Sequence, residues 1–357
     1  MSTVSAVPQP IPPPPDPTVD LTEGAPPDVA PVADVCVFAP SMLLTVTVEA
    51  TGSDEEGPGE VHVHAGGQGY WLTRLLCGLG HRPILCTSLG GETGAVIRGL
   101  LAAEGLAVDL VTVEGATAAY VHDRRCGDRQ EVVRTGDPGL SRHERDDLYG
   151  ATLESAITTG VCVLTGRPTP AAIETGFYRR LGADLGTTGV AVIGDLHGEE
   201  LDAFLEEGRL QVLKVSDEDL LADGMITERD LDDPTDAGLR TAMSSLADRG
   251  VDMVVVSRVH RPTLALVGGR LLAASPPRLS EADHHGAGDS MTAALVRATL
   301  ESLEPADALR LACAAGAANV TRHGLTTVAR AQADRLAELV QVTEHPTPSD
   351  RPSKEGP

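Results

Sequence analysis

Aromatic side chains are scarce: one Trp, four Tyr and three Phe make up 2% of 357 residues, although 41% of the chain is hydrophobic. An interior of this kind is filled by Ala, Val, Leu and Ile, which suits helices packed on a sheet. Basic residues are also short, 28 Lys and Arg against 52 Asp and Glu, for a formal charge of −24. With no basic tract, a nucleic-acid partner is excluded, because phosphate binding needs clustered cations. The same field repels nucleotides, so any ATP site must be built from locally aimed backbone amides and a metal ion. The six cysteines (36, 77, 86, 126, 162 and 313) include no C-x-x-C pair and are expected to be reduced and mostly buried. No run reaches the roughly 18 uncharged apolar residues of a membrane span, so no membrane partner is expected. The start of the chain is proline-rich where a leader would be apolar, and a cytoplasmic location is expected.

What is present divides the chain in three. Residues 1–33 hold ten of the 25 prolines and predict a disordered extension; residues 343–357 predict a disordered tail. Between them, 34–342, apolar β-branched runs (35–38, 83–88, 161–164, 190–193, 211–214 and 253–257) alternate with amphipathic helical stretches. That order predicts an α/β fold with a mostly parallel, doubly wound sheet. Period-2 segments at about 44–65 and 110–135 break the alternation and predict a small accessory sheet. It would cover a site at the C-terminal ends of the main strands and offer a surface for a homodimer.

The segment Gly286-Ala287-Gly288-Asp289 opens a helical stretch. Small residues at a helix N-terminus let the main chain approach a phosphate, where unpaired N–H groups and the helix dipole favour an anion. Asp289 beside such amides is placed to deprotonate an acceptor hydroxyl in phosphoryl transfer. The same string is also what a glycine turn with an ordinary helix cap looks like.

The surrounding motifs decide between these readings. Gly66-Gly67-Gln68-Gly69, Gly78-Leu79-Gly80, Leu89-Gly90-Gly91-Glu92-Thr93-Gly94, Val163-Leu164-Thr165-Gly166 and Asp283 to Asp289 resemble, in order, the pfkB family of carbohydrate kinases. The resemblance is nearest to its 1-phosphofructokinase and tagatose-6-phosphate kinase branch. It implies a ribokinase-like three-layer α/β/α fold with a β lid, and an ATP- and Mg²⁺-dependent kinase acting on an alcohol group. Asp289 would be the base and the amides of Gly286, Ala287 and Gly288 the anion hole. It further implies that Lys214, Ser216, Ser257, Asn319 and Gly324 face the nucleotide and that Asp219 and Asp283 serve the metal, with a monovalent cation near Asp283. Gly66, Gly67, Gln68, Trp71 and Leu43 would face the acceptor.

The acceptor positions depart from that branch. Leu43 stands where the family has a sugar-binding Asp, Gln68 where it has Lys, Trp71 where it has Asn, and Ala119 where it has a lid Arg. Arg124, Arg125 and Arg129 lie near enough in sequence to compensate. The family's S-x-G-x-x-G loop is replaced by Ser257-Arg258-Val259-His260-Arg261-Pro262, in which Arg258 or Arg261 could reach phosphates. Two other readings stay open: a catalytically silent ligand-binding or regulatory protein on the same fold, and a nucleoside kinase in which Trp71 and Tyr70 stack on a base.

Overall fold

The structure is a computed structural model and describes residues 32–51, 59–126, 129–259, 261–276, 286–320 and 328–345. The chain opens with β1 (Val35–Ala39), β2 (Leu43–Ala50), β3 (Gly59–Gly66), α1 (Gln68–Gly78), β4 (Pro83–Gly90), α2 (Gly91–Ala103) and β5 (Ala107–Val113). β6 (Ala118–Asp123), β7 (Gln130–Arg134), α3 (Arg142–Thr159), β8 (Val161–Thr165), α4 (Thr175–Leu185), β9 (Ala191–Asp195), α5 (Gly198–Leu205) and β10 (Leu210–Ser216) follow. Next come α6 (Asp217–Ala222), α7 (Glu228–Asp232), α8 (Ala237–Asp248), β11 (Val251–Ser257), β12 (Thr263–Val267) and β13 (Arg270–Ser275). The described chain ends with α9 (Ala287–Leu300), α10 (Pro305–Val320), α11 (Arg330–Ala337) and β14 (Gln341–His345).

Ten strands form one sheet in the order β14-β13-β12-β11-β10-β9-β8-β1-β4-β5. From β11 to β5 the pairs are parallel, while β12, β13 and β14 add an antiparallel edge. Alternate residues of each central strand point to opposite faces. Val35, Val37 and Ala39 of β1 join a core with Leu72 and Leu75 of α1, Ile97 of α2 and the alanines of α9 and α10. Cys36 and Phe38 join a second core with Leu148 of α3, Phe177 of α4 and Met243 of α8. Helices therefore cover both faces, in three layers. β1 pairs with β4 on one side and β8 on the other, so the chain direction across the sheet switches there. Such a switch leaves a crevice at the strand ends.

Three differences from the sequence-based expectation have clear causes. β5 pairs in parallel with β4 through Ala107–Val113, so it belongs to the main sheet, and the lid is β3-β2-β6-β7. As an edge strand β5 is mostly half-buried, which leaves the same period-2 pattern as a lid strand. The β12–β13 hairpin turns at Gly268 and Gly269, with φ of 54° and 77°. A two-glycine turn between short apolar runs is a type I′ signal, passed over because the runs are only five and six residues long. β14 pairs with β13 as far as His345, three residues past the end expected at 342.

Candidate active site

Gly286 caps α9 in the left-handed region, φ 79° and ψ 5°. Its carbonyl accepts both the backbone N–H (3.0 Å) and the hydroxyl (2.8 Å) of Ser290. This closes the first turn, and the opening amides of a 14-residue helix, which have no intrahelical acceptors, lie at its positive end. Asp289 sits in that turn.

Lys214, near the end of β10, is 7% exposed. Its Nζ packs so closely on Gly288 that a Cβ there would come within 2.7 Å of it, which explains the glycine sterically. The ammonium lies 3.5 Å from Oδ1 of Asp195 at the end of β9, and Oδ2 of Asp195 accepts a 2.6 Å bond from the Thr292 hydroxyl of α9. Burial alone would lower the Lys214 pKa, but Asp195, Asp289 and Asp219 outweigh it and hold the amine charged. Burial, and then the negative Asp195, push Asp289 up to about 7, against the pull of Lys214 and of a hydrogen bond from the Gln68 side chain. A carboxyl balanced near neutrality can accept a proton and later release it.

The root of the lid is built against this cluster. Gly67 caps α1 with φ 102°, and a Cβ on Gly69 would fall 2.3 Å from the Cβ of Ala39. The glycines thus let α1 begin directly against the end of β1, bringing Gln68 to Asp289. Leu43 pairs with Gly66 on one side and Ala118 on the other. Ala119, the position expected of the lid cation, pairs with Leu44 and lies on the face opposite Leu43, whereas Ala118 shares the face of Leu43. Neither is charged. Trp71 is half-buried one turn into α1, with its ring 6.1 Å from that of His64 and 4.7 Å from that of Tyr70.

Ser216 and Asp219, expected to serve the nucleotide and its metal, close a reciprocal cap on α6: the Asp219 amide donates to the Ser216 hydroxyl at 3.0 Å and the Ser216 amide to Asp219 Oδ2 at 2.8 Å. Ser257 is the register partner of Ser216 and donates to the Val215 carbonyl. Asn319 is 3% exposed within α10. Asp283 and Gly324 lie outside the described residues. Arg258 and Arg261, expected to reach phosphates, both turn to Asp236. Arg258 binds Asp236 at 2.7 Å with its side chain 2% exposed, and Arg261 binds the same carboxylate at 3.0 Å. Arg124 and Arg125 pair with Glu49 and Asp123. No group of three or more His, Cys, Asp or Glu placed to hold a metal ion is found among the described residues.

Sequence reasoning passed over Asp195 and Thr292. Asp195 ends a central parallel strand, where an acid after an apolar run is a usable signal; Thr292 lies one turn beyond Gly288 and carries no motif.

The profile of the pfkB family carbohydrate kinases matches residues 210–332. The chain is 30% identical over 257 residues to the 1-phosphofructokinase of Rhodobacter capsulatus, covering 71% of this chain and 78% of that protein. It is 27% identical over 262 residues to the ATP-dependent 6-phosphofructokinase isozyme 2 of Escherichia coli (strain K12), covering 72% and 82%. Among solved structures, the Escherichia coli phosphofructokinase-2 in complex with potassium superposes with a TM-score of 0.73 at 24% identity, over 86% of this chain and 98% of that one.

Proposed function

The chain belongs to the pfkB family of carbohydrate kinases, with the ribokinase-like fold, and we propose that it transfers the γ-phosphoryl group of ATP to an alcohol group of a carbohydrate-like acceptor, with Asp289 as base. The observation that carries this reading is the pairing of Asp289, pushed up to about 7, with the charged Lys214 packed on Gly288. One group takes a proton; the other, with the amides of Gly286, Ala287 and Gly288, steadies the transferring phosphoryl oxygens. As the acceptor oxygen bonds to phosphorus, its proton passes to a carboxylate oxygen of Asp289 and the bond from phosphorus to the bridging oxygen breaks, leaving ADP. Asp195, tied to Thr292, fixes the Lys214 amine.

Mg²⁺ would supply charge neutralisation on the phosphates. The residues present fit an ion held chiefly by phosphate oxygens and water, because Asp219 has an oxygen in its cap and Asp195 is shared between Thr292 and Lys214. The reading also places the protein in the cytoplasm, supported by six free cysteines. No helix among the described residues is long and apolar enough to cross a membrane. It gives the protein a homodimer through the lid, supported by Val61, Val63 and Val133, which are 60%, 42% and 48% exposed on the face of the small sheet opposite Leu43.

The test is ADP release across a panel of sugars, sugar phosphates, polyols and nucleosides, run beside Asp289→Asn. At least one acceptor should give ADP that the variant loses. A panel in which no acceptor gives Asp289-dependent ADP would falsify the reading.

A further inference from the structure

The lid presents a second chemistry-bearing surface. Its register places Leu43, Thr45 and Thr47 of β2, Gly66, His64 and His62 of β3, and Ala118, Tyr120 and His122 of β6 on one face. On that face Thr45, Thr47 and His122 are 8%, 5% and 3% exposed while His62 at the outer end is open; on the other face Leu44 and Ala65 are buried near the root and Val61 and Val63 are open. It starts at the Leu43–Gly66 pair, immediately before Gly67 and Gln68, and the Gln68 side chain is near enough to Asp289 to favour its charged form. Same-face residues on a strand are about 7 Å apart, so His64 and Tyr120 stand one such step from the root and His122 two. This is the range spanned by the non-reacting part of a small alcohol.

We infer that His64 and His122, with Trp71 and Tyr120, form the acceptor-selecting wall, and that it takes an uncharged alcohol carrying a flat ring in preference to a phosphorylated sugar. The inference rests on the kinase reading above and names its substrate class. Three observations carry it. The wall is made of rings: Trp71 lies 6.1 Å from His64, and Tyr120 stacks on His122 at 4.9 Å and 25°. Flat faces of this kind bind flat faces. Two ring nitrogens, Nε2 of His64 and Nδ1 of His122, are buried without a partner, although the other nitrogen of His122 meets the Thr47 hydroxyl at 3.1 Å. Buried polar atoms are nearly always paired, and an acceptor's donor or acceptor group completes this pair. Finally, the two imidazoles of the wall are held neutral, while the guanidinium of Arg134 lies 4.4 Å over the Tyr120 ring and that of Arg74 5.7 Å over the Trp71 ring. Burial lowers both imidazole pKa values, helped for His64 by His122, Arg129, Arg74 and His62 and for His122 by Arg129 and Arg124. The neighbouring Arg74, Arg124 and Arg134 are each ion-paired, to Glu104, Glu49 and Glu131. With Gln68 and Ala118 at the root, the face offers ring stacking and hydrogen bonds in place of a phosphate clamp.

The experiment uses the full chain with adenosine, uridine and an aryl glycoside as ring-bearing probes, and fructose 1-phosphate and fructose 6-phosphate as charged ones. Two signals are read: ADP release, and the fluorescence of Trp71, the only tryptophan. At least one ring-bearing alcohol should quench Trp71 saturably and exceed both phosphosugars in kcat/KM by about tenfold or more. His64→Leu and His122→Leu should each raise its KM by up to about tenfold with kcat little changed, and His122→Gln, which keeps a hydrogen-bonding group, should recover most of the loss. A preference for a phosphosugar, above all one abolished by Arg129→Ala, overturns the inference. So does a Trp71 signal indifferent to every ring-bearing probe. Should His122→Leu fail to fold, His64→Leu and the titration decide alone. Asp289→Asn separates the two readings, because it should still bind the ring-bearing alcohol without turning it over. Binding with no Asp289-dependent ADP from any acceptor sinks the kinase reading and leaves the wall standing as a binding site.

Discussion

The side chain of Gln68, the first residue of α1, bears on Asp289 in the first turn of α9 and favours its charged form. One residue thereby joins the root of the lid to the buried carboxyl of Asp289.

Gln68 restrains a pKa that burial and Asp195 drive upward. Gln68→Leu removes the restraint, so the acidic limb of the pH profile of kcat/KM should move to higher pH, with most of the activity recovered on the alkaline side. The profile of the wild-type enzyme should rise through about 7 as Asp289 ionises. An acidic limb in the ordinary carboxylate range for both proteins would show that Asp289 is not the titrating base.

The same shift carries a stability cost. Folded Asp289 titrates near 7 against an ordinary value of 3.8, so between those pH values the folded state holds a proton that the unfolded chain has released. Stability from this group therefore falls as pH rises through that window and is constant above it. The loss is at most about 4 kcal/mol at 1.36 kcal/mol per pKa unit. Asp289→Asn, which cannot ionise, should abolish turnover by a factor of about 10² to 10⁴ and raise the melting temperature at pH 8 more than at pH 5. Calorimetry at the two pH values decides. An equal change at both would place the cost elsewhere.

Gly288→Ala tests the packing of Lys214. The added Cβ would fall 2.7 Å from Nζ and 3.5 Å from Cε. The amine is a flexible end, but Asp195 holds it at 3.5 Å in a site where both side chains are 9% exposed, so it cannot swing into water freely. The variant should fold with a loss of about 1–3 kcal/mol, and its KM for ATP should rise. Wild-type KM and kcat in Gly288→Ala would show that Lys214 does not attend the nucleotide.

The sequence made the parts of this site that rest on backbone geometry legible, and less so the parts that rest on register. Gly286 to Gly288 and Gly66 to Gly69 are constrained by close approach and left-handed φ, and such constraints are written locally. The strand-end position of Asp195 became meaningful only once β9 was seen beside β10. Ala118 and Ala119 are adjacent letters, and the parallel pairing of Leu43 with Ala118 alone decides which shares the face of Leu43; a one-residue slip in a strand exchanges faces. The loop after β11 was hard to read for a related reason: the partner of the two arginines expected to reach phosphates, Asp236, lies more than twenty residues upstream.

That arginine pair supports a last prediction. The Asp236 carboxylate, its side chain 11% exposed, serves Arg258 at 2.7 Å and Arg261 at 3.0 Å. Asp236→Ala would strand a guanidinium that is 2% exposed, and uncompensated buried charges of this kind cost about 3–5 kcal/mol. Arg258→Met should cost less, because Asp236 keeps Arg261 and the methionine fills much of the vacated volume. Asp236 also holds a left-handed φ of 53°, which Asn tolerates and Ala resists, so Asp236→Asn should fall between the two. Urea unfolding should rank the variants in that order, Asp236→Ala the least stable. The KM for ATP of the folded Arg258→Met protein should match the wild type. A rise in that KM of tenfold or more would return Arg258 to the phosphates and contradict its assignment as the partner of Asp236.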